Sequence, residues 1–308
     1  MNKKTTIYDI AQKLGITAAT VSRALNNNPK ISKTTKALVL KTAVEMNYEQ
    51  NKLALALKSG KSYNVGIVVP RIDMIFFGSI IRAIEDELAP HGYHIIICQT
   101  HGDEGKENES IDTLLNAQVD GILISSSNKE TEPFNRVLAK NIPLVFFDRK
   151  KTMKGVSSVT IDDFEGGYNA TQHLIDQGFK RIAHLSGNRS IEIYKNRYLG
   201  YKQALIDNGI ELNEDYVIQT SSARIAGSHA LKLLLKLKPA PHAIFSASDL
   251  AALGAIQELK SQNFKIPNEF AIVGFINETF KKFMELSIST VDKSPLEMGK
   301  IAAQVFLE

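Results

Sequence analysis

The fold of this chain is decided by the amino-terminal run Thr5-Thr6-Ile7-Tyr8-Asp9-Ile10-Ala11-Gln12-Lys13-Leu14-Gly15-Ile16-Thr17-Ala18-Ala19-Thr20-Val21-Ser22-Arg23-Ala24-Leu25-Asn26. The run predicts two short helices joined by a tight turn at Gly15, a residue that tolerates unusual backbone angles. Thr6 and Asp9 have the spacing of a capping box, and Thr17 can cap the second helix. Apolar side chains recur with helical spacing on the first helix, at Ile7, Ile10, Ala11 and Leu14.

The second helix is expected to bury Val21 and Leu25. Its outward face is then made of small or hydrogen-bonding side chains without an acid, namely Ala18, Ala19, Thr20, Ser22, Arg23 and Asn26. Bulk would clash with a groove of DNA and carboxylates would meet phosphates, so this face suits close approach to a duplex. Two capped helices around a glycine turn also form corners of ordinary helical bundles, and the motif alone leaves that alternative open.

Positive charge is concentrated at the amino end. Residues 1–62 hold 11 Lys and Arg against 3 Asp and Glu, whereas the whole chain has a net charge of +4, so residues 63–308 carry −4. A basic amino-terminal segment followed by a mildly acidic remainder is the charge distribution expected of a chain that binds phosphates at its amino end. The charge distribution therefore favours a DNA-binding role for these two helices over the alternative that they form a corner of an ordinary helical bundle.

The run from Thr6 to Asn26 resembles the helix-turn-helix of the LacI/GalR family of bacterial transcription regulators, and the resemblance covers most of the chain. It implies an α/β protein with a three-helix headpiece (1–50), a hinge helix (51–62) and a periplasmic-binding-protein-like body of two parallel sheets (63–308). A third helix is predicted from Ser32 to near Asn47, with one face formed by Ala37, Leu40, Ala43 and Val44. We expect DNA contacts in the headpiece at Thr6, Tyr8, Thr17, Ala18, Ala19, Thr20, Ser22, Arg23 and Asn26.

Residues 51–62 are too apolar for a free linker and too few for a stable isolated helix. The resemblance implies a hinge helix that pairs in a dimer, with Leu57 wedged into the minor groove and Lys58 beside it. Many relatives carry Arg where this chain has Leu55. A plain helical tether packed against the body is the alternative.

From Asn64 onward, short β-branched runs alternate with helical patterns, which is typical of parallel sheets covered by helices. Strands are predicted at Val65–Val69, Tyr93–Cys98, Gly121–Ile124, Leu144–Phe147, Ser158–Ile161, Arg181–Leu185, Tyr216–Gln219, Ala243–Ser246 and Ala271–Gly274. Thr160–Asp163 and Ser289–Asp292 resemble the family's crossover segments. They imply subdomains of residues 63–161 plus 291–308, and 162–290. The resemblance also implies a further strand and helix after Met298–Glu308.

Ligands of such sheets bind at the carboxyl ends of the strands. The loops there predict effector contacts at Phe76, Phe77, Ser125, Asp148, Arg149, Arg197, Asp249 and Asn277. Carboxylates and guanidinium groups can each bind two hydroxyls, and an aromatic ring covers the apolar face of a sugar. Arg197 is favoured most, because no carboxylate is near it in the sequence.

Each of these residues also has a structural interpretation. The Phe pair can belong to the core, Asp148 and Arg149 can pair with each other or cap a helix, and Asp249 can be an N-cap. Met74, Ile75 and Ile276 replace residues that are usually polar or Pro in the family, and they make the cleft more apolar. A sugar-class effector is expected, with a purine or nucleoside as the alternative.

Composition narrows the function further. The single Cys98 forms no internal disulfide, no apolar run is long enough to span a membrane, and no secretion signal is apparent, so we expect a cytoplasmic protein. Zinc, P-loop and nucleophile-elbow motifs are missing, and we expect no catalytic site, metal or cofactor. The expected partners are a palindromic double-stranded operator, a small-molecule effector and a second copy of the chain. A solute receptor or an enzyme built on the same body is the remaining alternative.

Overall fold

A computed structural model describes residues 5–49, 60–278 and 288–308. The chain divides into two compact units, residues 1–62 and 63–308. Each unit has its own buried apolar core. The predicted hinge segment, with Leu57 and Lys58, lies outside the described residues except at its end, 60–62.

The amino-terminal unit contains three helices, α1 (Ile7–Leu14), α2 (Ala18–Leu25) and α3 (Lys33–Glu45). The capping box is present, since the Thr6 hydroxyl accepts the Asp9 N–H and the Asp9 carboxylate accepts the Thr6 N–H at 2.8 Å. Gly15 takes the left-handed conformation at φ 63°. The prediction of two capped helices around this turn is confirmed.

The headpiece core is formed by Ile10, Val21, Ala24 and Val39, all at most 2 % exposed. The predicted inward face of α3 is wrong except at Ala43: Leu40 and Val44 are 52 % and 78 % exposed, and Ala37 is also exposed. The side chains buried instead are Val39, Thr42 and Ala43. Apolar residues occur around most of this helix, so spacing alone could not identify the side that packs.

The body contains two parallel five-stranded sheets. The first has the order β2-β1-β3-β4-β5, with strands β1 (Asn64–Val69), β2 (His94–Gln99), β3 (Gly121–Ile124), β4 (Leu144–Phe147) and β5 (Ser157–Val159). The second has the order β10-β9-β8-β6-β7, with strands β6 (Ile182–Ser186), β7 (Val217–Gln219), β8 (Ala243–Ser246), β9 (Ala271–Ile276) and β10 (Ser289–Asp292).

Helices cover these sheets, and their bounds are α4 (Ile75–Leu88), α5 (Glu104–Asn116), α6 (Glu132–Ala139), α7 (Asp163–Asp176), α8 (Glu192–Asp207), α9 (Arg224–Leu234), α10 (Asp249–Ser261) and α11 (Pro295–Leu307). Helix α11 returns to the first sheet, where Met298, Ala302 and Phe306 share a core with β1 and α4. The first sheet is thus completed by the last helix of the chain. Within the described residues, no helix is long and apolar enough to cross a membrane.

The predicted strands are all present. Those at 121–124, 144–147 and 243–246 have the predicted bounds, and the others differ by one or two residues at an end. The segment Ser289–Asp292, predicted as a crossover, also forms strand β10 beside β9. The alternating β-α pattern therefore predicted the architecture of the body.

Candidate functional site

The outward face of α2 is largely solvent-exposed. Ala19, Arg23 and Asn26 are exposed there, together with Thr17 at the cap, while Ala18, Thr20 and Ser22 are half-buried. On α1, Tyr8 is 71 % exposed, and Thr6 at the start of that helix is also exposed. The structure thus presents every headpiece residue predicted to contact DNA at or near the surface.

Local hydrogen bonds hold part of this surface. The Thr17 hydroxyl accepts the Thr20 N–H at 3.2 Å, and the two threonine hydroxyls lie 2.9 Å apart. The Asn26 amide donates to the carbonyl of Ser22 at 2.8 Å. Ala18 rests against the headpiece core. These contacts fix the ends of α2 and leave the exposed Ala19 and Arg23 between them.

The body has a cavity of about 440 Å³ between the loops that follow β3 and β4 and the first turn of α8. It lies at the carboxyl edge of the first sheet, where the sequence predicts a ligand. Its lining comprises Ser126, Ser127, Asn128, Lys129, Thr131, Asp148, Arg149, Lys150, Lys151, Thr152, Thr160, Ile161, Asp163, Ser190, Ile191, Glu192, Ile193 and Asn196. A cavity of this volume is typical of small-molecule sites.

Asp148 is the most strongly held of the predicted effector residues. It is 3 % exposed, its carboxylate accepts hydrogen bonds from Lys293 and from the Ser125 hydroxyl, and the Arg149 Nε lies 4.0 Å away. Burial favours the neutral acid, but Lys293 and Arg149 outweigh it and keep the pKa of Asp148 below its ordinary value. Asp148 is therefore an ionised group, and Lys293 lies between it and the ring of Phe76, 4.3 Å from the ring centre.

Arg197 does not lie free in the cleft. It is 1 % exposed, its Nε donates to Asp163 Oδ1 at 2.8 Å, and its Nη1 donates to the carbonyl of Ala247 at 2.9 Å. The guanidinium also stacks 3.8 Å from the ring centre of Phe275. No carboxylate is near Arg197 in the sequence, but folding brings Asp163, 34 positions earlier in the chain, against it.

Close packing of α7 on α8 makes this pair possible. A Cβ atom at Gly167 would lie 2.3 Å from the carbonyl oxygen of Arg197, and one at Gly200 would lie 2.1 Å from that of Phe164. Only glycine allows the two backbones to approach this closely. Asp163, in the first turn of α7, is thereby within reach of Arg197, and Asp163 rather than Arg197 lines the cavity.

Asp249 supports strands rather than the cavity wall. It is 1 % exposed, and its carboxylate accepts the Glu278 N–H and the Thr290 hydroxyl, each at 2.8 Å. Ser248, not Asp249, occupies the N-cap position of α10. Asp249 therefore ties the end of β9 to β10, and the interpretation of this residue as an N-cap is wrong.

The remaining predicted effector residues are spread around the cleft. Phe76 and Phe77 are each 4 % exposed and belong to the core of the first sheet, as their structural interpretation predicts. Ser125 is buried against Asp148. Asn277 is half-buried after β9, with a left-handed φ of 71°. Of the eight predicted residues, only Asp148 and Arg149 line the cavity.

Two charged side chains that the sequence does not single out hold the cavity loops. Glu107 is fully buried in α5 and accepts the Ser126 hydroxyl at 2.6 Å and the Ser127 N–H at 2.7 Å. Burial raises the pKa of the Glu107 carboxyl. Lys151 donates to the carbonyls of Asn128 and Lys129 at 2.7 and 2.9 Å. Charged residues in an amphipathic helix and in a basic loop give no local signal for such distant partners.

The part of the chain that the structure describes contains no cluster of three or more His, Cys, Asp or Glu able to hold a metal ion. The polar groups at the cavity are instead ion pairs and hydrogen-bonded loops. Such an arrangement binds and orients a polar molecule by charge-assisted and neutral hydrogen bonds.

Comparison with known proteins identifies both units. A family model described as "Bacterial regulatory proteins, lacI family" matches residues 6–51. A second, described as "Periplasmic binding proteins and sugar binding domain of LacI family", matches residues 62–306. The two matches follow the division of the chain into a helical headpiece and a two-sheet body.

Individual relatives agree. Catabolite control protein A of Priestia megaterium is 32% identical over 301 residues, covering 97% of this chain and 91% of that protein. A transcriptional regulator CelR–cellobiose complex has a TM-score of 0.72 at 27% identity, covering 99% of this chain and 92% of that one. A LacI-family regulator from Enterococcus faecium with bound ribose also has a TM-score of 0.72, at 28% identity, covering 79% and 89% of the two chains. This chain therefore belongs to the LacI family of bacterial regulatory proteins and is a DNA-binding transcriptional regulator.

Proposed function

We propose that the protein is a homodimeric repressor that binds a palindromic operator through α2 and responds to a small-molecule effector in the body cavity. One observation carries the proposal: a single chain joins an acid-free, exposed helix face to a body with a polar cavity at the carboxyl edge of a parallel sheet. The first feature suits a duplex and the second suits a metabolite. No chemical step is proposed for either site.

In this proposal α2 enters the major groove. Ala18 and Ala19 contact bases by shape and by thymine methyl groups, since alanine offers no side-chain hydrogen bond. Arg23 supplies charge beside them. Thr6, Tyr8, Thr17, Thr20, Ser22 and Asn26 position the headpiece on phosphates. The uncharged members suit this role because hydroxyl and amide groups bind phosphate oxygens without requiring a buried charge.

Leu57 and Lys58, outside the described residues, are proposed to act in the minor groove. An apolar wedge there kinks the central base step and lets the two headpieces contact adjacent half-sites. Replacing Leu57 by Asn is expected to weaken operator binding at least tenfold and to leave effector binding unchanged. Equal operator affinity for the variant would remove the wedge from the proposal.

The effector is proposed to be a sugar or a sugar derivative. Two relatives more than 25% identical to this chain were solved with cellobiose and with ribose. Asp148 and Arg149, both in the cavity wall, are the groups proposed to contact it. Phe76, Phe77, Ser125, Arg197, Asp249 and Asn277 are assigned the supporting role of shaping the cleft. A purine or nucleoside is the alternative that a ligand screen decides.

Effector binding can change operator affinity only if the ligand prefers one conformation of the body. A cavity formed by loops of the first sheet and by the first turn of α8 can change when these elements move relative to each other, as in hinge closure. The coupling is reciprocal, so operator DNA must alter effector affinity by the same factor.

The experiment is a selection of operator sequences from random duplexes with the full-length protein, followed by fluorescence anisotropy titrations at several salt concentrations. A two-fold symmetric site, an affinity that falls steeply with salt, and a shift of that affinity by a sugar are the expected results. An asymmetric site would contradict the dimer, and an affinity independent of salt would contradict phosphate binding. A response to purines but not to sugars would select the alternative effector.

A further inference from the structure

The cavity in the body has an unusual charge distribution for a site that takes a neutral sugar. Four cationic side chains line it, namely Lys129, Arg149, Lys150 and Lys151. All four come from two loops that follow neighbouring strands, β3 and β4. The cavity therefore has one strongly basic wall.

The acids of the lining do not cancel this charge. Asp148 is bound by Lys293 and, at 4.0 Å, also faces Arg149, while Asp163 is bound by Arg197; neither Lys293 nor Arg197 belongs to the lining. Glu192, the third acid, is exposed to solvent at the start of α8. Because two of the three acids have their own cations behind the wall, the cavity keeps an excess of positive charge.

The basic wall is also incompletely compensated in the protein alone. The Arg149 guanidinium donates to the Ser127 hydroxyl, and its Nη1 lies 3.4 Å from the carbonyl of Ser126. Its Nε is shielded from solvent and has no hydrogen-bond acceptor among the described residues. A buried donor without an acceptor costs free energy that an incoming acceptor restores.

The charge of Lys151 is also incompletely compensated. Its ammonium group binds only neutral acceptors at hydrogen-bond distance, the carbonyls of Asn128 and Lys129. Burial lowers the pKa of Lys151 because the charged form has lost part of its water, and the charges of Glu107, Glu130 and Glu104 oppose this shift without cancelling it. An anion near this loop would favour the charged form.

The wall formed by residues 190–196 differs in character. Ser190 and Asn196 supply uncharged polar groups, while Ile191 and Ile193 supply apolar surface. Such a wall suits hydroxyls and the apolar edge of a small polyol, with the charged part of the ligand directed to the loops after β3 and β4.

We propose that the effector is a small polyhydroxylated metabolite bearing an anionic group, a phosphate or a carboxylate, that binds the wall formed by Lys129, Arg149, Lys150 and Lys151. This inference rests on the proposed function, since it names the class of effector for the same cavity. Phosphate and carboxylate share the chemistry that the wall recognises, which is charge-assisted hydrogen bonding to guanidinium and ammonium groups. The experiment separates the two sources.

The test titrates the full-length protein by calorimetry with matched ligands. The phosphate pairs are glucose with glucose 6-phosphate and ribose with ribose 5-phosphate, the carboxylate pair is glucose with gluconate, and inorganic phosphate is added alone. In at least one pair the charged member is expected to bind at least tenfold more tightly than its neutral partner, with an affinity that falls as salt rises. A preference in only the phosphate pairs or only the carboxylate pair identifies the anionic group.

Single substitutions test which lysines of the wall contact the anionic group of the ligand. Lys150→Gln and Lys129→Gln each remove an exposed cation of the wall and are expected to weaken the charged ligand about tenfold while leaving its neutral partner unchanged. Lys154→Gln is the matched control, because Lys154 is also exposed, follows in the same loop and does not line the cavity. An equal loss in the Lys154 variant would show that the effect is long-range.

The proposal is overturned if no charged member binds more tightly than its partner, whether the neutral members bind or not. Operator release by a neutral sugar together with no binding of glucose 6-phosphate, ribose 5-phosphate or gluconate would leave the proposed function standing and remove only this inference. Absence of operator binding both without ligand and with each of these ligands would instead contradict the proposed function itself.

Discussion

Lys293 donates a hydrogen bond to Asp148 across 145 residues of sequence, and both side chains are only 3 % exposed. Lys293 follows strand β10 of the second sheet, whereas Asp148 follows strand β4 of the first. The pair therefore joins the segment that follows the second sheet's strand β10 to a side chain that lines the cavity. Because both charges are out of water, each depends on the other for compensation.

Replacing Lys293 by Met is expected to lower the free energy of unfolding of the body by about 3 kcal/mol, since removal of one partner leaves the other charge buried without its main compensation. Urea unfolding at pH 7, followed by circular dichroism, measures the loss.

A double-mutant cycle separates the ion pair from packing. Asp148→Asn with Lys293→Met removes both charges and is expected to be more stable than the sum of the two single losses predicts. The exposed Lys154→Met serves as a control for loss of a lysine on the surface and should change stability by less than about 0.5 kcal/mol. Additive losses in the cycle would show that the two groups do not compensate each other.

The buried Glu107 carboxyl is expected to make the free energy of unfolding depend on pH. Burial raises the pKa of this carboxyl above its ordinary value of 4.5, while the hydrogen bonds from Ser126 and Ser127 and the charge of Arg149 oppose the shift. In the folded state Glu107 therefore binds its proton at a higher pH than in the unfolded state. Its contribution to stability is complete below pH 4.5 and is lost as the pH rises through the folded-state pKa.

Glu107→Gln cannot titrate and isolates this contribution. The difference in unfolding free energy between the wild-type chain and the variant should favour the wild type increasingly as the pH falls from 7 towards 4.5. Urea unfolding across this range measures the difference, and Glu109→Gln, in the same helix but exposed, is the control. A difference that stays constant with pH would contradict a raised pKa.

The sequence predicted most of the architecture because several central strands are buried on both faces. Gly121–Ile124 and Leu144–Phe147 are continuous apolar runs, each followed by a polar residue, and every residue in them is buried. Helix α3 was harder to interpret, because apolar side chains such as Leu40 and Val44 stay exposed. A sequence pattern predicts reliably that a helix or a strand forms. It predicts less reliably which of several apolar faces of a helix is buried.

The position of the site could be predicted from the sequence, but the ion pairs that hold its side chains could not. Parallel sheets place their loops at one edge, so a cleft with Asp148 and Arg149 in its wall followed from strand order. The partners Lys293 and Asp163 did not, because an ion pair over 145 or 34 residues depends on tertiary packing that no local spacing reports. The sequence therefore did not indicate that Arg197 is paired with Asp163.

Gly274 in β9 is expected to be intolerant of a side chain. A Cβ atom there would lie 2.0 Å from Asp249 Oδ1, the atom that accepts the Thr290 hydroxyl. Gly274→Ala must displace this buried carboxylate, and we expect a loss of about 2 kcal/mol in unfolding free energy.

Gly78→Ala, in contrast, is expected to raise the free energy of unfolding. Gly78 lies inside α4 and is exposed, and apart from its chain neighbours and the backbone of its own helix, no described atom lies within 4 Å of an added Cβ. Alanine there should stabilise the body by about 0.5–1 kcal/mol, because it restricts the unfolded chain and favours the helix. Thermal or urea unfolding of both variants tests the pair. Equal effects at the two positions would contradict the role assigned to the Asp249 contact.

The final prediction concerns the outward face of α2. Ala19 is an exposed residue in the first turn of this helix, and that turn contains no acid. Ala19→Asp should therefore keep the helix or stabilise it by about 0.5 kcal/mol through the helix dipole. The same carboxylate would lie against DNA phosphates, so operator affinity is expected to fall at least tenfold. Far-UV circular dichroism and anisotropy titrations measure the two effects. Gln12→Glu adds the same charge on α1 and should cost far less affinity. If Ala19→Asp keeps full affinity, α2 does not present this face to the operator.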